Sequence, residues 1–260
     1  MKLNKLTASL IAASAMAFAS GAQAITVAGV TWDPNSNFDF SATTNLFETI
    51  GINIGDTFSG YGQFTSINGD GTDTFCPTCQ LTYEFGGYTI TASTIPPTAT
   101  IGDTFAASGG WLNVYVQDTG AVGYTAFDKD LKSTATDGQL WLALTGANGI
   151  YTAPVTLQGS LTAVSSSGLT GQGTGYFDVV GGLAQAYLDT NGEPGGADFT
   201  YTSSFQPIPG SPVVNGGIIV ATHFGTNEVS GNSVPEPATL ALLGLGLVGL
   251  GLARRNKKVA

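Results

Sequence analysis

The segment CPTC holds Cys76 and Cys79, the only cysteines of the 260-residue chain. Outside the cytoplasm, a pair at this spacing is by default a disulfide that closes a small loop. A redox-active pair is the alternative, because the C-x-x-C spacing can lower the pKa of a thiol. A zinc site would need two further ligands, which the single histidine cannot supply. The turn-rich surroundings, with no helix after the pair, favour a structural disulfide.

The segment NGDGTDT places Asp70 and Asp73 in a glycine-rich turn. Oxygen-rich loops of this kind bind Ca²⁺, which the outside of the cell supplies. The spacing differs from that of an EF-hand loop, and the bidentate acid of that loop is missing. A solvated turn is therefore favoured, and the two aspartates are weak calcium candidates.

Residues that could carry catalysis are few. His223 is the only imidazole, and it lies in the strand-like segment VATHF, where a structural role is favoured. No G-x-S-x-G elbow occurs, and no phosphate-binding glycine loop precedes a predicted helix. Among the many acidic residues, no carboxylate pair of the glycosidase type stands out. We therefore predict a protein that is not an enzyme and uses no cofactor. Trp32, Trp111 and Trp141 could stack on sugars if exposed, although their contexts favour a core position.

The elements that position these residues are predicted to be strands. The segments LTYEF and LWLALTG alternate between two sets of side chains, which places one set on each face of a strand. Turn clusters such as NGDGTD, DTNGEPGG and QPIPGSP separate the strand-like segments. This pattern predicts an all-β fold, an antiparallel β-sandwich of the jelly-roll or immunoglobulin-like type. The segment GGLAQAYLDT is a candidate for a short helix.

The pentapeptide IGDTF occurs twice, at Ile54–Phe58 and at Ile101–Phe105, and glycines and aromatic residues follow each copy. This spacing is compatible with two related strand-turn units. Five matching residues leave chance and shared turn chemistry both open.

The first 24 residues have the features of a secretory signal peptide. Lys2 and Lys5 give a positive start, an apolar stretch follows, and Ala22 and Ala24 form the small-x-small cleavage pattern. A retained membrane helix is disfavoured because the stretch is short for a membrane span. The sequence therefore predicts an exported protein.

Residues 238–253 are aliphatic except for Thr239 and the glycines. As a helix they would cover about 24 Å, against a hydrocarbon core of about 30 Å. Four cations follow, and they could snorkel and hold the chain end in the cytoplasm: Arg254, Arg255, Lys257 and Lys258. A core helix would need a polar face, which this segment lacks. We predict a single, marginal transmembrane helix over residues 238–253.

Between the two terminal segments the chain is strongly acidic. Residues 25–234 contain 17 of the 18 acidic residues but only Lys129 and Lys132 of the eight basic ones, a net charge of −15. Such a surface repels nucleic acid and anionic headgroups, because phosphate binding depends on lysine and arginine. The abundant aromatic residues argue against disorder. We predict a folded domain that does not bind nucleic acid.

Pro235, Glu236 and Pro237 precede the predicted helix, and the prolines keep this tripeptide extended. A Pro-Glu-Pro motif, an aliphatic helix and a basic cluster, in this order, resemble the PEP-CTERM sorting signal. The resemblance implies processing by exosortase, a membrane protease-transpeptidase of Gram-negative bacteria that make exopolysaccharide. It also implies a transient anchor in the inner membrane that is cut near the tripeptide.

The segments NFDFSATTNLFETIG, LTYEFGGYTIT, LWLALTG and GYFDVVGGLAQAYLDTNG resemble the flocculation-associated PEP-CTERM proteins. This resemblance implies a cell-surface or extracellular-matrix protein that promotes floc and biofilm formation with exopolysaccharide. A carbohydrate-binding module and a matrix polysaccharide hydrolase are the alternatives. The expected organisation is a signal peptide at 1–24, an exported β-sandwich domain at 25–230 and a sorting signal at 231–260. Within the sorting signal, the motif is at 235–237, the helix at 238–253 and the basic tail at 254–258.

Overall fold

The computed structural model describes residues 24–37, 39–118, 123–124, 131–209, 213–215 and 218–234. Within these residues the strands are β1 Ile25–Val27, β2 Val30–Trp32, β3 Phe40–Thr49, β4 Thr57–Ile67, β5 Asp70–Gly71, β6 Cys79–Ser93, β7 Thr104–Asp118, β8 Gln139–Ala147, β9 Val155–Ser165, β10 Gly168–Gly181, β11 Phe199–Pro207, β12 Val213–Asn215, β13 Ile218–Ala221 and β14 His223–Gly231. The helices are α1 Thr72–Phe75, α2 Leu131–Ala135 and α3 Gln185–Leu188. The last of these confirms the short helix predicted in GGLAQAYLDT.

Eight strands form one antiparallel sheet in the order β14-β11-β10-β8-β7-β6-β4-β3. Strand β9 pairs with β7 and β10, the same two strands that flank β8. Strands β8 and β9 therefore fill successive parts of one position in the sheet. The two outermost strands of this order also meet. Asp39, just before β3, bridges to Gly231 at the end of β14. At the other end of β3, the N–H of Thr222 donates to the carbonyl of Glu48 at 2.9 Å. The sheet therefore closes into a β-barrel.

The prediction of a β-sandwich is wrong, because the sheet closes on itself instead of stacking as two sheets. Alternation of apolar and polar residues is the same in both architectures, since each buries one face of every strand. What distinguishes them is the contact of the first barrel strand with the last, and this joins residues 174 positions apart. Local sequence patterns do not report such a contact.

Among the described residues, no helix has both the length and the apolar character needed to cross a membrane. The transmembrane helix predicted over residues 238–253 lies outside the described residues and has no support from the structure. Residues 1–23 of the predicted signal peptide also lie outside them.

Aromatic rings fill the barrel at the end where β3, β8 and β11 begin. Phe40, Trp141 and Phe199 come from these strands, and Trp32 comes from the β1–β2 hairpin. The rings of Trp32 and Trp141 meet edge to face, with centroids 5.9 Å apart. The indole N–H of Trp141 donates to the carbonyl of Val27 at 3.0 Å. We call this region, formed by these four rings, the tryptophan end.

Glycines on one strand make room for large side chains of the next. Gly171, Gly173 and Gly175 alternate along β10 and are buried, so they face the interior. They pair in register with Phe205, Ser203 and Tyr201 of β11. A Cβ added to Gly175 would lie 2.5 Å from the Tyr201 ring, whereas one added to Gly173 would have no neighbour closer than 3.2 Å. The alternation of small and large residues thus fills a narrow barrel.

The two IGDTF segments form the same turn, and each leads into a barrel strand. In both copies, the glycine N–H donates to a carbonyl of the adjacent strand, and the aspartate carbonyl accepts from the N–H of that same residue. That residue is Ile90 for the first copy and Leu161 for the second. The two glycines have φ values of 92° and 91°, which glycine adopts without strain. Shared turn chemistry therefore explains the repeat. Since β4 and β7 start here, both turns lie at the end opposite the tryptophan end, which we call the cavity end.

Candidate functional sites

Cys76 and Cys79 lie within disulfide distance, with their Cα atoms 5.0 Å apart. Cys76 follows α1 and Cys79 begins β6, and both are buried at the tryptophan end. A Cβ added to Gly29 in the β1–β2 turn would lie 3.5 Å from the Cys79 sulfur, so the pair packs under this hairpin. The position fits a structural link between α1, β6 and the hairpin.

Asp70 lies in β5 and Asp73 in the first turn of α1, and both side chains are exposed. Among the residues that the structure describes, no group of three or more histidine, cysteine, aspartate or glutamate side chains could hold a metal ion. Among the described residues, the two weak calcium candidates therefore have no third carboxylate beside them.

The predicted processing residues lie outside the described residues, except Ala24. They are Ala22 of the signal cleavage pattern, Pro235, Glu236 and Pro237 of the sorting motif, and Arg254, Arg255, Lys257 and Lys258 of the basic cluster.

The residues just before the sorting motif are tied to the barrel. The N–H and the hydroxyl of Ser233 donate to the two carboxylate oxygens of Asp39 at 2.6 and 2.7 Å. The N–H of Val234 donates to the carbonyl of Tyr187 at 2.7 Å. Both acceptors belong to the tryptophan end, so the chain reaches Pro235 from a fixed point on the fold.

Trp111 differs from the other two tryptophans because it faces outward. Trp32 and Trp141 are buried, whereas Trp111 is 36% exposed. It pairs in register with Gly86 on β6. A Cβ added to Gly86 would lie 3.0 Å from the indole, and one added to Gly87 would lie 2.7 Å from it. The ring therefore lies over two residues without side chains.

Polar side chains lie on the two strands that follow this ring across the outer face of the barrel. Thr145 of β8 pairs with Trp111, and Asp178 of β10 pairs with Thr145. Burial and the nearby Asp198 and Asp189 raise the pKa of Asp178 above its ordinary value. An aromatic plane with a hydroxyl group on the next strand and a carboxyl group one strand further, about 10 Å away, suits an uncharged ligand with an apolar face and several hydroxyl groups, such as a sugar.

The interior contains a cavity of about 50 Å³, several times the roughly 10–15 Å³ that one water needs. Its walls are mostly aliphatic and aromatic, and the partly exposed Gly51 and Ile52 line it at the cavity end. Three polar side chains also line it: Glu48 of β3, Ser203 of β11 and Asn227 of β14. A small molecule with an apolar body could bind there.

Glu48 is the acidic group of this cavity. Its side chain is only 6% exposed, and burial raises the pKa of the carboxyl group to about 8. The interior residues of β3 alternate as Phe40, Ala42, Thr44, Leu46 and Glu48, all of them buried. Sequence reasoning missed this site, although the same alternation in FSATTNLFET could have placed Glu48 inside.

His223 has a structural environment. Its Nδ1 shares a hydrogen bond with the Thr222 hydroxyl at 2.8 Å, and its ring contacts Phe205 edge to face. Its Nε2 is buried, and the backbone of Leu169 is the polar group whose interaction with the ring partly offsets the effect of burial. Burial lowers the pKa of the imidazole, so the ring is neutral near pH 7.

No curated protein and no solved structure is similar enough to this chain to count as a match. The PEP-CTERM protein-sorting motif matches residues 233–257, from the tied Ser233 through the Pro-Glu-Pro tripeptide and into the basic cluster. This match confirms the sorting signal, while the narrower resemblance to flocculation-associated proteins is not confirmed. The chain carries a PEP-CTERM sorting signal and is therefore an exported protein sorted by an exosortase.

Proposed function

We propose that the processed protein is a structural component of the cell surface or extracellular matrix that promotes floc and biofilm formation with exopolysaccharide. It does this without catalytic turnover. The observation that carries the proposal is the sorting signal at residues 233–257, which follows directly on the last barrel strand. A transient stay at the inner membrane precedes removal of the tail near Pro235.

The barrel supports a role outside the cell. Closure leaves the eight barrel strands without an open edge, and open edges are where β-proteins aggregate. The net charge of −15 on residues 25–234 keeps such molecules apart and disfavours binding to acidic polymers. A neutral or cationic polysaccharide is therefore the expected partner.

Deletion of the gene tests the proposal. We expect the deletion strain to form fewer or smaller flocs while its export and polysaccharide synthesis stay intact. The full chain should restore them. A variant ending at Val234 should be exported and folded but lost to the medium, because it keeps the barrel and lacks the sorting motif. Normal flocs in the deletion strain would contradict the proposal.

A carbohydrate-binding protein is the second candidate, and the exposed Trp111 favours it. The C–H face of a sugar ring packs well on an aromatic plane, and here the plane lies over Gly86 and Gly87. Trp111→Ala should weaken adsorption of the purified barrel to isolated polysaccharide about tenfold, the loss expected for roughly 1.4 kcal/mol. Ile54→Ala removes another exposed apolar side chain, 70% exposed and at the cavity end, and serves as the control. Equal adsorption by both variants would remove this candidate, and release of reducing ends would indicate a hydrolase.

A further inference from the structure

The interior cavity combines features that the structural role does not use. Its only ionisable carboxyl group, among the described residues that line it, is that of Glu48. Isolated charges are costly inside proteins, and buried carboxylates normally have a cation or several donors beside them. No lysine or arginine is among the described residues that line the cavity, so this lining offers Glu48 neither of these cations.

The wall around Glu48 suits a small organic cation. Phe58, Phe85, Tyr88, Phe177 and Tyr201 contribute aromatic rings to the lining. Ring faces attract ammonium groups, more strongly where water is excluded. The aliphatic part of the lining, for example Leu46 and Leu157, would contact the carbon chain of such a molecule.

Asn227 provides a second, independent indication of a ligand. Its side chain is 8% exposed and lines the cavity. The amide nitrogen donates to the hydroxyl of Tyr83 at 3.2 Å, but Oδ1 is buried without a hydrogen-bond partner among the described residues. A buried acceptor left unpaired is destabilising, so a donor from a bound molecule would stabilise this arrangement.

We propose that the cavity binds a small primary aliphatic amine as its ammonium ion, with the charged group at Glu48 and the chain against the apolar wall. The strongly negative charge of residues 25–234 raises the local concentration of cations near its opening. The volume of about 50 Å³, several times what one water needs, suits a molecule of a few heavy atoms.

Binding is coupled to loss of a proton, because Glu48 must be ionised to pair with the ammonium group. Of the titratable groups on the elements packed against Glu48, Tyr83 and Tyr88 of β6, Tyr201 of β11 and His223 of β14 are on the interior side. Tyr61 of β4, Glu84 of β6 and Glu228 of β14 alternate to the outer side. Burial raises the pKa of each interior tyrosine, so all three are neutral, and it lowers the pKa of His223. Asp56, in the turn at the cavity end, has its pKa lowered by hydrogen bonds from Asn53 and is ionised throughout. Glu48 is thus the group that changes charge on binding.

Calorimetry with n-butylammonium chloride tests the proposal, with 1-butanol as the uncharged probe of equal chain length. Between pH 5.5 and pH 7.5 we expect the affinity for butylammonium to rise about tenfold per pH unit, with release of about one proton. The released proton is measured by repeating the titration in buffers of different ionisation enthalpy. Butanol should bind at least about tenfold more weakly, without proton release.

Glu48→Gln should abolish the pH dependence and weaken butylammonium binding about 30-fold at pH 7.5. Glu228→Gln is the matched control, because Glu228 lies next to Asn227 on β14 but is exposed. Ser203→Leu should block binding, because the larger side chain would occupy the cavity from β11, two strands away from Glu48 around the barrel. This variant gives a second test if Glu48→Gln does not fold. Equal binding of the two probes, an unchanged affinity in Glu48→Gln, or an equal loss in Glu228→Gln would each overturn the proposal.

Discussion

The two ends of the barrel interior are built in contrasting ways. At the tryptophan end, aromatic rings pack edge to face, and the indole N–H of Trp141 has a carbonyl partner. Toward the cavity end, the same inward-facing positions hold Glu48, small residues such as Gly173 and a volume of about 50 Å³. One alternating pattern of strands thus produces a closely packed aromatic cluster at one end and, toward the other, a largely apolar cavity that also contains the polar side chains of Glu48, Ser203 and Asn227. We conclude that stability is concentrated at the first end and binding chemistry at the second.

The largest expected effect comes from opening the packed end. Trp141→Ala removes a ring that is 0% exposed, and it should lower the free energy of unfolding by about 3–5 kcal/mol. Trp111→Ala, the control on the outer face, should cost less than about 1 kcal/mol because the ring is partly solvated. Urea unfolding of both variants measures the difference. Similar losses in the two variants would show that the tryptophan end is not the stabilising region.

The second expected effect is a pH dependence of the free energy of unfolding, caused by Glu48 in the cavity. Because burial raises the pKa of Glu48 to about 8, the folded state holds its proton over a range where the unfolded chain, near 4.5, has lost it. The free energy of unfolding should therefore fall as pH rises from about 4.5 to about 8, by up to roughly 1.4 kcal/mol per pH unit. Glu48→Gln should remove this slope and be more stable than the wild type at pH 8. Urea midpoints across this range test it, and a slope that persists in Glu48→Gln would assign the titration to another group.

The smallest expected effect is a change in stability at two interior glycines of β10, one with space beside its Cα and one without. Gly173→Ala adds a methyl group where the nearest atoms are at 3.2–3.6 Å, and it should stabilise the barrel by about 0.5–1 kcal/mol. Gly175→Ala, two residues along β10, would place its Cβ 2.5 Å from the Tyr201 ring and should destabilise it. Thermal melting of the two variants measures both signs. A loss of stability in Gly173→Ala would mean that the cavity is already full at this point.

The sequence predicts the local structure of this protein better than it predicts the closure of the sheet into a barrel. Alternation in LTYEF and LWLALTG correctly predicts strands β6 and β8, and the terminal residues correctly predict the sorting signal. Strand alternation cannot tell a sandwich from a barrel, because the decisive contact joins Glu48 to Thr222 across most of the domain. The repeated IGDTF segment had two open explanations, and only the matching hydrogen bonds identify the shared turn.

For the candidate sites, too, the deciding contacts come from neighbouring strands and are not visible in the local sequence. Trp111 and Trp141 both lie in strand-like segments with alternating residues, yet one is exposed and the other buried. Their difference depends on the neighbouring strand, where Gly86 and Gly87 leave room for a ring to lie flat. Glu48 was not singled out because a single acid in an alternating segment is ordinarily solvent-facing. Its position becomes evident only when the strand register fixes which face is inside.

The hydrogen bonds that hold Ser233 and Val234 determine the end of the barrel at which the chain leaves the last strand. A terminus newly formed by proteolysis just beyond them would emerge from the rim carrying Asp39 and Tyr187. Fastened to an envelope by that terminus, each barrel would stand with the paired IGDTF loops and the mouth beside Ile52 pointing to the medium. Neighbouring copies would then form a layer of negatively charged barrels, each with its cavity end accessible to solutes of the medium.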